Sequence, residues 1–219
     1  MLILKWSELK SKCKRENDYI ITLFFTNEIS LFVTWILCRT PVTPNQVTIT
    51  SILCALFCGI FYASGMFFWG SLFLFLSHML DCTDGNLARA KETFSPFGRW
   101  MDFISNRTGE VFIFLGITCY FYKIDESVFW IVLTLLDSII LLLYYYIVDI
   151  ALSLGISAPK QIITSLKFKD VHVKWGIMEP VLYGFIVLSP LGLVKFQIIC
   201  ILLLTIGGIF YQAYKNYCR

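Results

Sequence analysis

Three carboxylates and one arginine, Asp81, Asp84, Asp102 and Arg89, stand at spacings that could assemble a site for a divalent cation and a phosphate. They lie in or beside apolar sequence, where ionisable side chains are costly and mark function by default. On a helix Asp81 and Asp84, three apart, share a face, with Gly85 and Ala88 beside them. Gly98, Asp102 and Asn106 follow at intervals of four and form one stripe on the next helix. Two helices that turn carboxylates toward each other make an all-oxygen site, suited to a hard cation such as Mg2+ or Mn2+. As a bare structural network, three such carboxylates would repel one another.

The elements that must position these residues are membrane helices. With 219 residues, 58% hydrophobic, 15% charged and a mean hydropathy of +0.73, the chain is unlike a soluble domain, which carries about 25% charged residues. It reads as an all-α polytopic membrane protein with room for roughly six spans. The net charge of +3 gives no sign of a nucleic-acid partner. Eight cysteines (13, 38, 54, 58, 82, 119, 200, 218) form no metal-type CxxC pair and read as small hydrophobes. No signal peptide is expected, because no apolar core with a cleavage site opens the chain.

Met1 to about Asp18 mixes Leu2, Ile3, Leu4 and Trp6 with five cations, as in an amphipathic helix lying on the membrane surface. Residues 19–38 are apolar but interrupted by Asn27 and Glu28, and fit either a span or more of this interfacial element. Residues 1–45 are therefore assigned to an interfacial segment and 46–219 to the membrane domain. The first span starts near Gln46, with Thr43 as N-cap, Pro44 in the first turn and Gln46 completing a capping box. Further spans are expected at 66–91, 97–121, 127–152, 176–190 and 191–213, the last two separated by a turn at Ser189-Pro190-Leu191-Gly192. With six spans, only Lys123 and Lys195 fall on the side opposite the other cations, which places Asp81 to Asp102 near the cytoplasmic face.

The run Asp81-x2-Asp84-Gly85-x2-Ala88-Arg89-x8-Gly98-x3-Asp102-x3-Asn106 resembles the signature of the CDP-alcohol phosphatidyltransferase family in all but its last position. Thr43-Pro44-Asn45-Gln46 is also similar to the start of that family's first span. The resemblance implies a six-helix membrane enzyme of phospholipid biosynthesis that displaces CMP from a CDP-alcohol, often CDP-diacylglycerol, by the hydroxyl of an acceptor alcohol. By position, Asp81, Asp84 and Asp102, with Asn106, would hold one or two Mg2+ or Mn2+ ions. Gly85, Ala88 and Gly98 would let the nucleotide lie against backbone, and Arg89 would pair with the diphosphate. Ser95 would contact the donor, and Asn45 and Thr48 would border the nucleotide. Membrane lipids, and a homodimer as in many members, are the implied partners. The implied location is a bacterial or archaeal inner membrane rather than a eukaryotic endomembrane, with the site toward the cytoplasm.

Asn106 departs from the family, whose members carry an aspartate there as metal ligand and general base. An amide oxygen can ligate a hard cation but cannot take the acceptor's proton, and general-base help is worth about 10²–10⁴-fold. Asn106 is then an engineered substitution, a natural variant with another base, or the mark of a member that binds CDP-lipid and metal without turnover. A small ion transporter using intramembrane carboxylates is the alternative from another class, although its carboxylates would sit nearer the midplane.

Other residues have two readings each. Glu110 continues the stripe and is either a substitute base or a polar helix contact. Asp137 and Asp149 either line the acceptor side or are structural. His78 reads as a helix contact. The 153–175 loop, with Lys160, Lys167, Lys169, His172 and Lys174, fits a phosphorylated acceptor, anionic headgroups or plain positive-inside bias. Tyr144 to Tyr146 read as interfacial belt, and Arg89 could instead pair with the acids.

Overall fold

The structure, a computed structural model, describes residues 5–217 except 16, 125, 154–161 and 169–170; the side chains at 17, 149, 151–153, 162–168, 171–175 and 215–217 are also outside the description. Helix α1 (Trp6–Lys12) leads to a short strand β1 (Asn17–Tyr19), a π-helical turn (Thr22–Thr26) and α2 (Asn27–Leu37). Then come α3 (Pro44–Ala63), α4 (Phe67–Lys91), α5 (Pro96–Lys123) and α6 (Val128–Ser153). A hairpin of β2 (Ile162–Phe168) and β3 (Val171–Trp175) precedes α7 (Met178–Leu188) and α8 (Val194–Tyr217).

Helix starts follow local chemistry. At α3 the Thr43 hydroxyl accepts from the Gln46 amide at 3.4 Å and the Gln46 side chain accepts from the Thr43 amide at 2.9 Å, the capping box expected there. Ser95 caps α5 in the same way, accepting from the Gly98 amide at 2.9 Å ahead of Pro96 at the first position. Helix α4 ends on Glu92, whose left-handed φ of 55° turns the chain toward α5. The Ser189–Gly192 turn also forms, with Gly192 at φ +75°.

Among the described residues, three helices are long and apolar enough to cross a membrane: Pro44–Ala63, Val128–Val148 and Val194–Tyr214. Helices α4 and α5 have crossing length, at 25 and 28 residues, but carry the site charges. Helix α7, the remaining expected span, has 11 residues, about 16 Å, roughly half the hydrocarbon thickness. The main core joins Cys58 and Tyr62 of α3, Ile113, Phe114 and Ile117 of α5, Phe185 of α7 and Ile198 and Ile201 of α8. Helices α3 and α5 touch backbone to backbone at Gly59 and Gly116, a small-residue contact typical of membrane helices.

Two expectations need correction. The N-terminal amphipathic helix is shorter than Met1–Asp18: it closes at Lys12, because the chain next pairs as β1 with β3, Asn17 opposite His172 and Tyr19 opposite Lys174. The 153–175 segment is not only loop, since β2 and β3 complete a three-stranded sheet in the order β1-β3-β2. This pairing spans about 155 positions of sequence, which no local periodicity reports. Lys160 and Lys169, and the side chains of Lys167, His172, Lys174 and Asp149, lie outside the described residues. Residues 19–38 are mainly helical and pack on α4 through Leu31 and Trp35, beside Leu87.

Candidate active site

Helices α4 and α5 bring Asp81, Asp84 and Asp102 together, with one oxygen from each within 4.8 Å of the others. The three motif aspartates are therefore close enough together for one cation to be shared. Hard cations take oxygens at about 2.0–2.6 Å, so one ion can touch all three carboxylates. The donor set also has an open demand, because Asp81 Oδ1 is buried with no hydrogen-bond partner among the described residues. Lone carboxylate oxygens out of water are strongly disfavoured, and a divalent ion there would satisfy this one.

Asp84 is held from α3. The Thr48 hydroxyl lies 2.5 Å from Asp84 Oδ2 and 3.2 Å from the Pro44 carbonyl. It has one proton, so the short charge-assisted bond takes it. Both side chains are buried, and Thr48 thus aims Asp84 rather than merely bordering the site. Asn106 turns its amide nitrogen back onto the Asp102 carbonyl at 3.1 Å and Asp102 Oδ1 at 3.5 Å. An aspartate could not donate there. Of the two amide atoms, only the oxygen could then ligate a cation.

A cavity of about 1380 Å³, counting its open mouth, surrounds these groups. Asn45, Thr48, Gly85, Ala88, Arg89, Ser95 and Gly98 all line it, as expected from the motif. Gly98 has a local reason: a Cβ there would stand 3.1 Å from Ser95 Oγ and 3.3 Å from Asn45 Oδ1. Among the described residues Arg89 makes no ion pair with the aspartates and its buried Nε has no hydrogen-bond partner, while its Nη2 donates to Asn86 Oδ1 at 2.6 Å.

A deeper cavity of about 540 Å³ shares His78, Asp81, Asn106 and Met178 with the first and continues past Ser105, Glu110 and Tyr145. Glu110 is bound by Arg107 at 2.9 and 3.1 Å, and that guanidinium lies 3.5 Å from the Tyr145 ring centroid. Glu110 is thus tied to Arg107 within α5, and Arg107 in turn reaches α6 through the Tyr145 ring. His78 is a helix contact as expected, with Nε2 3.4 Å from Thr22 Oγ1 and its ring edge-on to Tyr183, though it also lines both cavities. Asp137 is fully buried in α6 and makes no hydrogen bond among the described residues.

The motif did not point to the wall formed by Arg15, Asp18, Tyr19 and Thr22, which line the larger cavity from the N-terminal segment. Arg15 pairs with Asp18 at 2.9 Å, and Glu179 of α7 accepts from the Ile21 and Thr22 amides at 2.6 and 3.2 Å. Burial pushes the Tyr19 hydroxyl up to about 12. The sequence signal for this wall is an arginine and an aspartate three apart, Arg15 and Asp18, within a stretch otherwise rich in lysine.

The fold and site define an integral membrane protein with an acidic, oxygen-lined centre beside an arginine and helix-backbone glycines. The chain belongs to the CDP-alcohol phosphatidyltransferase family, which it matches over residues 41–211. It is similar to a phosphatidylinositol phosphate synthase of Cutibacterium acnes, 35% identical over 98 residues, which are 43% of this chain and 46% of that protein. A protein of the same name from Streptomyces avermitilis is 31% identical over 100 residues, 45% of this chain and 40% of the relative. The chain thus spans less than half the length of either relative. Its fold is that of the Mycobacterium tuberculosis phosphatidylinositol phosphate synthase crystallised with manganese and citrate, at TM-score 0.68 and 17% identity, covering 86% of this chain and 88% of that one.

Proposed function

We propose that this chain is a membrane transferase that moves a phosphatidyl group from CDP-diacylglycerol, or the phosphoalcohol of another CDP-alcohol, to an acceptor hydroxyl and releases CMP. The observation that carries it is the convergence of Asp81, Asp84 and Asp102 on one face of a cavity lined by Arg89 and the motif's small residues. Asp81, Asp84 and Asp102 would hold Mg2+ or Mn2+, with the Asn106 amide oxygen as a further ligand. The Mycobacterium tuberculosis protein was crystallised with manganese, which supports a divalent ion without choosing between the two. A bound ion supplies charge neutralisation on the diphosphate and on the leaving CMP.

The chain's own residues supply the rest. Arg89 offers a planar donor fork to the diphosphate, and Gly85, Ala88 and Gly98 keep the helix faces low enough for the nucleotide. Asn45 and Ser95 add polar edges. The acceptor hydroxyl attacks the phosphorus bearing the donor alcohol, the bond to CMP breaks, and the hydroxyl proton must pass to water in the open cavity, because Asn106 cannot take it. Binding is therefore complete while proton removal is weak.

A second reading, supported by that amide, is a family member that binds CDP-lipid and metal with impaired or no turnover. The ion-transporter alternative gains nothing from the family or from the arginine and glycines beside the acids. The six-span outline with a short α7, the 1–45 and 46–219 division, the cytoplasm-facing site in a bacterial or archaeal inner membrane, and a homodimer all remain part of this proposal. The two relatives' names make a phosphorylated inositol the first acceptor to try. Mass spectrometry of products formed by the Asn106→Asp form from CDP-diacylglycerol and a panel of acceptors tests the reading: a phosphatidyl product supports it, and none from any acceptor opposes it.

A further inference from the structure

We infer that Asn86 is a positioning residue for Arg89, and that it ties the diphosphate-binding arm to the N-terminal helices; this rests on the transferase reading above. Asn86 sits between Gly85 and Ala88 of the motif at a position the motif leaves open. It does not line the cavity. It is fully buried on the flank of α4 that faces α2.

Every polar group it carries is engaged. Oδ1 accepts from Arg89 Nη2 at 2.6 Å, and Nδ2 donates to Ser30 Oγ at 2.8 Å and, at 3.5 Å, to Asn27 Oδ1. Its carbonyl accepts from Cys13 Sγ at 3.3 Å. An arginine has only donors, so it needs an acceptor to hold it, and a serine hydroxyl can accept the amide's proton in turn. A primary amide of this length meets both needs without adding charge. A carboxylate would cancel the charge that Arg89 must offer to the donor.

The position of Arg89 shows the consequence. Its Nη2 lies 3.4 Å from where a Cβ on Gly85 would stand, so the guanidinium rests along the glycine face that lines the cavity. One nitrogen is held by Asn86, while Nε is buried with no hydrogen-bond partner among the described residues. A long side chain left loose would lose conformational freedom each time it bound a diphosphate. Asn86 removes that loss beforehand. Ser30 and Asn27 lie outside the region that matches the family, residues 41–211, and line neither cavity, so α2 acts on the site through Asn86.

The test measures Mn2+-dependent binding of CMP and of CDP-diacylglycerol to the full-length protein in detergent, for the wild type, N86A, S30A, R89A and the double variants with R89A. N86A weakens binding about tenfold, the scale of a charge-assisted bond, and S30A weakens it less. Neither has any further effect once Arg89 is gone. With an acceptor present in the Asn106→Asp background, the KM for CDP-diacylglycerol rises and the KM for the acceptor stays. Should N86A fail to fold, S30A and its double with R89A carry the test alone. Wild-type binding by N86A and S30A overturns the inference, and so does a loss of equal size with and without Arg89, which marks a merely structural role. A wild type that binds neither probe overturns the transferase reading itself, before any variant is compared.

Discussion

Asn106 separates two tasks that a single carboxylate would combine. Its oxygen can serve a cation, but its nitrogen donates to Asp102 where a base would accept. Asn106→Asp should raise CMP release by about 10²–10⁴-fold, the usual worth of general-base help; an unchanged rate would mean that another group already takes the proton. Thr48 acts on Asp84 in the same local way. Thr48→Val keeps the shape and removes the 2.5 Å bond, leaving a buried carboxylate oxygen without its donor. Mn2+ affinity, followed by electron paramagnetic resonance, should fall about tenfold, in line with a bond to a charged group; unaltered affinity would show that the metal alone orients Asp84. The motif residues were legible in the sequence because helical spacing decides which side chains share a face. Arg15, Asp18 and Thr22 were not, because strand pairing across most of the chain puts them there.

Helices α3, α4 and α5 place the site through close contacts far from it. A Cβ on Gly59 would stand 2.6 Å from the Phe112 carbonyl, and one on Gly116 would enter the Gly59 backbone. Backbone cannot move aside as a side chain can, so Gly116→Ala should push α5 from α3 and cost about 1–3 kcal/mol. Thermal unfolding in detergent should show a lowered midpoint together with weaker Mn2+ binding; a lowered midpoint with intact binding would uncouple this contact from the site. The N-terminal helix is tied on more loosely. Lys12 donates to Glu92 at 2.5 Å and holds that carboxyl below its usual range. A carboxyl lowered on folding stabilises above its unfolded value, about 4.3, and loses that contribution as pH falls through the folded one. The protection factors of the α1 amides, exchange rates corrected for the intrinsic effect of pH, should therefore fall in acid more for the wild type than for Glu92→Gln; equal falls would rule the tie out. Helix limits were readable within a few residues from caps and apolar runs, as Thr43 and Gln46 show at α3. The length of α1 was not, since its end is set by pairing with β3.

At the scale of the whole molecule, apolar composition announced a membrane protein, and the charges that broke the pattern marked the site. Among the described residues five helices have crossing length, and α4 and α5 are the less apolar two because they carry the charges of that site. What composition could not convey is the small sheet that joins the N-terminal segment to the strand before α7 and closes one wall of the larger cavity. Membrane protein, acidic centre and family together lead to one central claim: the Asp81, Asp84 and Asp102 cluster is a metal-dependent CDP-alcohol site. The most direct test is release of labelled CMP from CDP-diacylglycerol by the purified Asn106→Asp form, before and after chelation and with Mg2+ or Mn2+ restored. The account predicts release that chelation abolishes, that either ion or one of them restores, and that Asp84→Asn eliminates. No CMP under any metal condition, or release indifferent to chelation and to Asp84→Asn, would contradict it.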